Sequence, residues 1–463
     1  MRLKRLLFLC TALLSFTTSF ADDFVQNSIK YTTSSDKTVT LVDGKSTSGD
    51  VVIPSSVRYG KNDYAVTVIE HNAFQGNNSI TSVIIPSSVN SIGYSAFNAC
   101  KNLRSVTDAS SNANMQGYEY TDCSNLQSVT LSGSLQTIGY RSFANTGLTS
   151  LVLPANVKEI GGQAFQDCQH LTQVQFDSRL EVIKDHAFKQ TGLITLELPS
   201  GVNEIGEWSF EGCQNLKKVV LPLRATALGT GSFFHCTSLE SVVIPGNITT
   251  FNDNTFNGCS RLSAVYYLGD NQPSVNQYTF AGVDNKFNFY VKPSALANIR
   301  GVAYISDKVK DSFPYQQRSK YATFSSEFAV DFASVNGLKA YIAKGVGENN
   351  SVNLLPITTA GAGTGLVIEA TPNTVYQLRL ADNDTHYDDN ALHVATSEIA
   401  NNATIQHKAD LTYLSNPVDL TTDKVRYEPN STVTFTTKYA SPDGAKVRYL
   451  HGNKVVATAD ISG

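Results

Sequence analysis

Along residues 66–292, short apolar runs return at a fixed interval. One of them reads Leu148-x-x-Leu151-x-Leu153-Pro154, with Ser150 and Val152 between the leucines. Alternation with period two is the mark of a strand with one buried face, so Leu148, Leu151 and Leu153 point inward and Ser150 and Val152 outward. The proline closes the strand because it has no N–H for the ladder. Similar runs are Val83-Ile84-Ile85-Pro86, Leu196-Glu197-Leu198-Pro199, Val219-Val220-Leu221-Pro222 and Val242-Val243-Ile244-Pro245.

Two further columns keep the same beat. Ile-Gly recurs at Ile92-Gly93, Ile138-Gly139, Ile160-Gly161 and Ile205-Gly206. An aromatic residue follows each time, in the series Phe74, Phe97, Tyr120, Phe143, Phe165, Phe188, Phe210, Phe233, Phe256 and Phe280, with steps of 22 to 24 residues. A fixed period of this length is the signature of a stacked coil. The pattern predicts a mainly β, right-handed leucine-rich-repeat solenoid of about ten turns of 22–23 residues. One strand per turn stacks in parallel at ~4.8 Å, and the rings form a ladder through the core, each burying ~150–250 Å². Both 22-residue steps follow from one missing residue, after Phe143 (Asn145-Thr146-Gly147-Leu148) and after Phe188 (Gln190-Thr191-Gly192-Leu193). A stacked coil tolerates such a deletion in a loop.

Six cysteines, Cys100, Cys123, Cys168, Cys213, Cys236 and Cys259, each stand three residues after a ladder aromatic. Thr146 and Thr191 fill the same column, so pairing is not required. Buried free thiols are the expectation, although neighbouring turns lie within disulfide reach. There is no Cys-x-x-Cys spacing for a metal.

Composition narrows the function. The chain has 463 residues and a net charge of −4, which lacks the basic face a nucleic-acid binder needs. At the N-terminus, Arg2, Lys4 and Arg5 precede the apolar stretch 6–16, and Ala21 precedes Asp22-Asp23. This reads as a signal peptide over residues 1–21, too short to span a bilayer. Cys10 follows Leu9, not a small residue, so a lipid anchor is not expected there. The expectation is an exported protein, extracellular or on the outer cell surface, or periplasmic, with no membrane span.

The repeat text Ile-Gly-x-x-Ala-Phe-x-x-Cys-x-x-Leu-x-x-Val-x-Ile-Pro resembles the BspA-like leucine-rich repeat surface proteins of Bacteroidota. Ser48-Gly49-Asp50-Val51-Val52-Ile53-Pro54 and Tyr64-Ala65-Val66-Thr67-Val68-Ile69 resemble that family's capping hairpins. The resemblance implies an interaction or adhesion protein and no catalysis. The layout expected is an N-terminal β-hairpin cap over 22–65 and a solenoid with its own C-terminal cap over 66–300. A β-sandwich-like domain follows over 301–415, where strands alternate with turn residues. Residues 416–463, through Leu420 to Pro429 and Val433-Thr434-Phe435-Thr436, resemble part of the immunoglobulin-like module of dextranase-type proteins. That resemblance supplies an alternative function, a glycan-binding accessory protein for polysaccharide use.

Candidate chemistry is sparse. Gly361-Ala362-Gly363-Thr364-Gly365 lacks the Gly-Lys-Ser/Thr ending of a phosphate loop and reads as a turn. Asp382, Asp384 and Asp388 could offer hard oxygen ligands to Ca²⁺, but the EF-hand glycine is missing and His393 stands where the closing Glu belongs, so a solvated loop is favoured. The histidines share no column, which argues against a proton relay. No cofactor and no catalytic set is expected.

The working surface expected is therefore the outward face of the sheet. Its ligand-binding candidates are Ser150, Gln173, Gln175, Thr195, Glu197, Lys218, Val243 and Tyr266. The last two sit at a more apolar, aromatic end that suits a binding hot spot. The partner expected is a protein or glycan bound by a monomer.

Overall fold

The computed structural model describes residues 21–318, 320–346, 352–385 and 387. It adds the strands 419–421, 432–433, 436–437, 446–451 and 454–460. The chain divides into two compact units between Leu148 and Thr149.

The first unit opens on antiparallel hairpins, Asp23–Gln26 with Ile29–Thr33 and Ile29–Thr33 with Thr38–Asp43. Thr38–Asp43 then runs parallel to Asn62–Ile69, which pairs antiparallel with Ser56–Tyr59. Gly49–Val52, within the stretch read as capping hairpin, runs parallel to Ile80–Ile85 instead. It is the first strand of the solenoid sheet, which continues through Ser105–Asp108 and Ser128–Thr130.

The second unit carries eight sheet strands, and with the four of the first unit this makes twelve. Ser150–Val152 pairs with Gln173–Gln175. Leu196–Glu197, Lys218–Val220, Ser241–Ile244, Ala264–Tyr267, Asn288–Val291 and Val309–Lys310 follow in parallel order. The solenoid and its cap were expected to end at residue 300, but the short helix Leu296–Ile299 is followed by one more strand of the same sheet, Val309–Lys310. A second parallel ladder, Glu159–Ile160, Val182–Ile183, Glu204–Ile205 and Ala227–Leu228, lies at the Ile-Gly column.

The core is built as the period requires. Leu148, Leu151 and Leu153 are buried, and Ser150 and Val152 are exposed. In the first unit Phe74, Phe97, Tyr120 and Phe143 stack with centroids 4.9, 5.4 and 5.3 Å apart. In the second, Phe165, Phe188, Phe210, Phe233, Phe256 and Phe280 stack at 5.1, 5.4, 5.3, 5.7 and 5.5 Å. Neighbouring planes in both runs stay within 13° of parallel. One aromatic per turn at one strand spacing can do nothing else without leaving a void.

The six column cysteines are buried thiols, none of them in a disulfide. The Sγ of Cys100, Cys123, Cys213, Cys236 and Cys259 donates to the carbonyl of the ladder aromatic one turn back, at 3.1–3.2 Å. Where threonine replaces cysteine, Thr146 and Thr191 bond the carbonyl of their own turn, Phe143 and Phe188, at 2.9 and 3.0 Å. The shortened loops that follow press against the preceding turn. A Cβ on Gly147 would stand 2.6 Å from Ser124 O, and one on Gly192 2.3 Å from Gln169 O. Only glycine fits there, which explains why it accompanies the deletion.

Beyond the last solenoid strand, two sheets share one core. One holds Phe313–Gln316, Val375–Leu380, Val330–Asp331 and Thr359–Ala360. The other holds Val352–Ile357, Leu338–Val346, Leu366–Ala370 and Tyr321–Phe324, joined by Asp419–Thr421 and other short strands. Phe313, Tyr315, Leu378 and Leu380 meet Phe324, Ile342, Leu366 and Ile368 in a common cluster. The signal-peptide reading of residues 1–21 falls outside the described residues, apart from Ala21. Of the module read over 416–463, only backbone strands are described.

Candidate functional site

The outward face of the sheet is not uniform. In the second unit its opening strands are bare. Parallel pairing sets Ser150 beside Gln173 and Val152 beside Gln175. Thr195 and Glu197 extend the two columns into the next turn, and Ile194 lies exposed beside Thr195. Ser150, Gln173, Gln175, Thr195 and Glu197 are exposed, and Val152 keeps 61 % of its surface open. Among the described residues, none of these side chains is tied to another group of the chain. The arrangement is a patch of amide and hydroxyl groups with Val152 exposed in its first turn, and Ile194 and the Glu197 carboxylate in its third. That composition suits recognition by burial of Val152 and Ile194 with hydrogen bonds between them.

The other end of the same columns is occupied. Val243 is 2 % exposed, and Val220, Ala264 and Tyr266 are half-buried. The Tyr266 ring lies 4.5 Å from Phe328, 5.0 Å from Tyr290 and 5.7 Å from Phe313, the last contact edge-on. Lys218 Nζ meets Glu327 Oε1 at 2.9 Å. Burial, with Tyr290 close by, holds the Tyr266 phenol well above its ordinary pKa. Phe313, Phe328 and Glu327 belong to the two-sheet region, whose core cluster includes Val243 and Tyr290.

This corrects one expectation. Lys218, Val243 and Tyr266 are contact residues of the chain with itself, not an open hot spot. The signal was present in the sequence, because one of the two outward columns runs Val220, Val243, Tyr266 without a polar residue. An apolar outward column says that something covers it, and the cover lies on residues 313–332 of the same chain.

The remaining candidates do not converge. The Asp382 carboxylate accepts from Ser294 Oγ, and Asp384 Oδ1 accepts the Ala362 N–H at 3.1 Å. Asp388 and His393 lie outside the described residues. Among the described residues no group of three or more His, Cys, Asp or Glu is placed to hold a metal ion.

Comparison with known proteins agrees with this architecture. A family profile described as the BspA type leucine rich repeat region matches in six copies, over residues 56–172 and 161–287. No curated protein matches the chain. Similar solved structures include a leucine rich cell surface protein from Faecalibacterium prausnitzii, at 20 % identity and TM-score 0.40, covering 59 % of this chain and 90 % of that one. A leucine-rich repeat protein from Bacteroides ovatus shows 25 % identity and TM-score 0.41 over 60 % of this chain and 81 % of its own. A leucine rich repeat protein of T. pallidum shows 27 % identity and TM-score 0.34, over 47 % and 91 %. With the profile matched across half of its length and the repeat geometry described above, the chain belongs to the BspA type leucine rich repeat family.

Proposed function

We propose that this is an exported, non-catalytic binding protein of the adhesion type, monomeric, that holds a macromolecular partner on the open stretch of its sheet. The observation that carries the reading is the contrast along one face. Ser150, Val152, Gln173, Gln175, Thr195 and Glu197 stay exposed over three successive turns, while the apolar end of the same columns is filled by the chain itself. The family supports it, since BspA type repeats fit a binding or adhesion role and are non-enzymatic. A protein is the partner this surface suits best, because a parallel array of amide and hydroxyl groups beside the exposed Val152 and Ile194 offers both burial and directional bonds. No helix among the described residues is long and apolar enough to cross a membrane.

The test is adherence of the purified protein to cultured epithelial cells, with bound partners identified by cross-linking. Val152→Asp and Gln175→Lys lie on open positions and leave the fold intact. Each is expected to lower adherence about tenfold, the effect of losing one well-placed contact. Adherence unchanged in both variants, with wild-type melting, overturns the assignment of this face.

A further inference from the structure

A second exposed feature lies in the first unit, away from the sheet columns. Glycine precedes tyrosine three times there, at Gly93-Tyr94, Gly117-Tyr118 and Gly139-Tyr140. The corresponding glycines of the second unit are followed by Gly162, Glu207 and Thr230. The three rings form a row, with centroids 5.0 Å apart from Tyr94 to Tyr118 and 5.5 Å from Tyr118 to Tyr140. They are not a closed stack, because neighbouring planes are turned by 46° and 53°. Tyr118 has φ 58°, a left-handed backbone, and stands one place nearer its ladder aromatic than the other two, which turns its ring out of line. Tyr94 and Tyr140 keep 43 % and 45 % of their surface open.

The backbone that carries the row is tied into the coil. The Tyr118 N–H donates to Tyr140 O at 2.9 Å, the Asn72 N–H to Tyr94 O at 3.0 Å, and the Tyr94 N–H to His71 Nδ1 at 2.8 Å. Arg141 places its guanidinium 5.6 Å from the Tyr118 centroid. Glu70, 3.8 Å from His71, brings the opposite charge at the Tyr94 end. The surface is thus aromatic, hydroxyl-bearing, carried on an ordered backbone and close to neutral.

We propose that Tyr94, Tyr118 and Tyr140 form a binding surface for a neutral glycan chain. A hexopyranose presents a face of C–H bonds that packs on an aromatic ring and a rim of hydroxyls that bonds to phenols. Along an extended chain such as the β-1,4-linked backbone of galactomannan, the sugars advance by nearly the distance that separates these rings. An extended peptide does not match, since its same-face side chains repeat at roughly 6.6 Å. Tyrosine, with only two side-chain torsions, also loses little conformational freedom on binding, which favours a ligand of weak individual contacts. The inference is independent of the sheet face and of residues 416–463.

The experiment is affinity electrophoresis through gels containing dextran, laminarin or galactomannan. At least one polysaccharide retards the wild-type protein. Tyr94→Ala, Tyr118→Ala and Tyr140→Ala each weaken retardation about two- to tenfold, the range for one aromatic contact. Tyr118→Phe, which keeps the ring, loses less than Tyr118→Ala, and Val152→Asp on the sheet leaves retardation unchanged. Two results overturn the proposal: no retardation by any of the three, or undiminished retardation of Tyr94→Ala, an end residue whose loss leaves the core untouched.

Discussion

Lys218 and Glu327 lie 109 residues apart in the chain and meet at 2.9 Å between Nζ and Oε1. The pair marks the edge of a contact whose centre is apolar, with Val243 and Tyr266 of the sheet against Phe313 and Phe328. The centre therefore carries the stability. The Glu327 side chain is 37 % exposed, so Lys218→Ala costs only ~0–1 kcal/mol. Val243→Asp places an unpaired charge in the buried cluster and costs roughly 3–5 kcal/mol. Urea unfolding of the two variants checks this, and equal midpoints would show that the contact does not hold the fold.

The ring ladder predicts a different sensitivity. Phe210 is fully buried and lies parallel to Phe188 within 1° and to Phe233 within 5°. Phe210→Ala removes both contacts and leaves a cavity, at a cost of ~3–5 kcal/mol. Phe210→Leu fills part of that space and costs less. The urea midpoints should fall in the order wild type, Leu, Ala; an Ala variant as stable as wild type would mean the rings are not the core.

Glu119 supplies a pH dependence. It stands where most turns carry alanine or serine, is fully buried, and accepts from the Gln116 and Gly117 N–H groups and from Ser142 Oγ. Burial outweighs these bonds and raises its pKa above the ordinary carboxylate value. With the folded pKa raised, its favourable contribution is present below the unfolded value and is lost as pH rises through the folded one. Glu119→Gln keeps the acceptor and gives Ser142 a donor. Its melting temperature should therefore gain on wild type between about pH 4 and pH 7. A constant difference across that range would refute the burial argument.

The cysteine column predicts chemical silence. Burial pushes the Cys213 thiol up to about 11 and holds Cys123 and Cys236 well above their ordinary value. At pH 8 a thiol with that pKa is about one part in a thousand thiolate, and no reagent reaches it. Iodoacetamide should modify none of the six column cysteines in the native protein and all six in guanidinium, as read by mass. Native labelling, or a mass that changes with reductant alone, would contradict the buried free thiols.

Much of the fold was legible because a single residue type marks each turn. Phe165, Phe188 and Phe210 announce themselves by interval alone, and inward Leu151 differs in character from outward Ser150. Gly49–Val52 and Val309–Lys310 were harder to place because no ladder aromatic accompanies them, so a count by rings stops short of the sheet strands at both ends. The sheet face was half legible. Its outward columns could be written from the repeat, yet Val243 and Tyr266 are covered by residues some 50 to 90 positions later, and no local pattern encodes such a pairing. The tyrosine row was visible as Gly-Tyr only once its rings were known to share a surface.

The near-identical spacing from Phe188 to Phe210 to Phe233 has a consequence for how this molecule can change. Excising 189–210 would set Phe233 over Phe188 with the same partners above and below. Extension and contraction in whole rungs thus need no new packing solution. Reach becomes a quantity that duplication or loss of short gene segments can adjust, while both ends stay as they are.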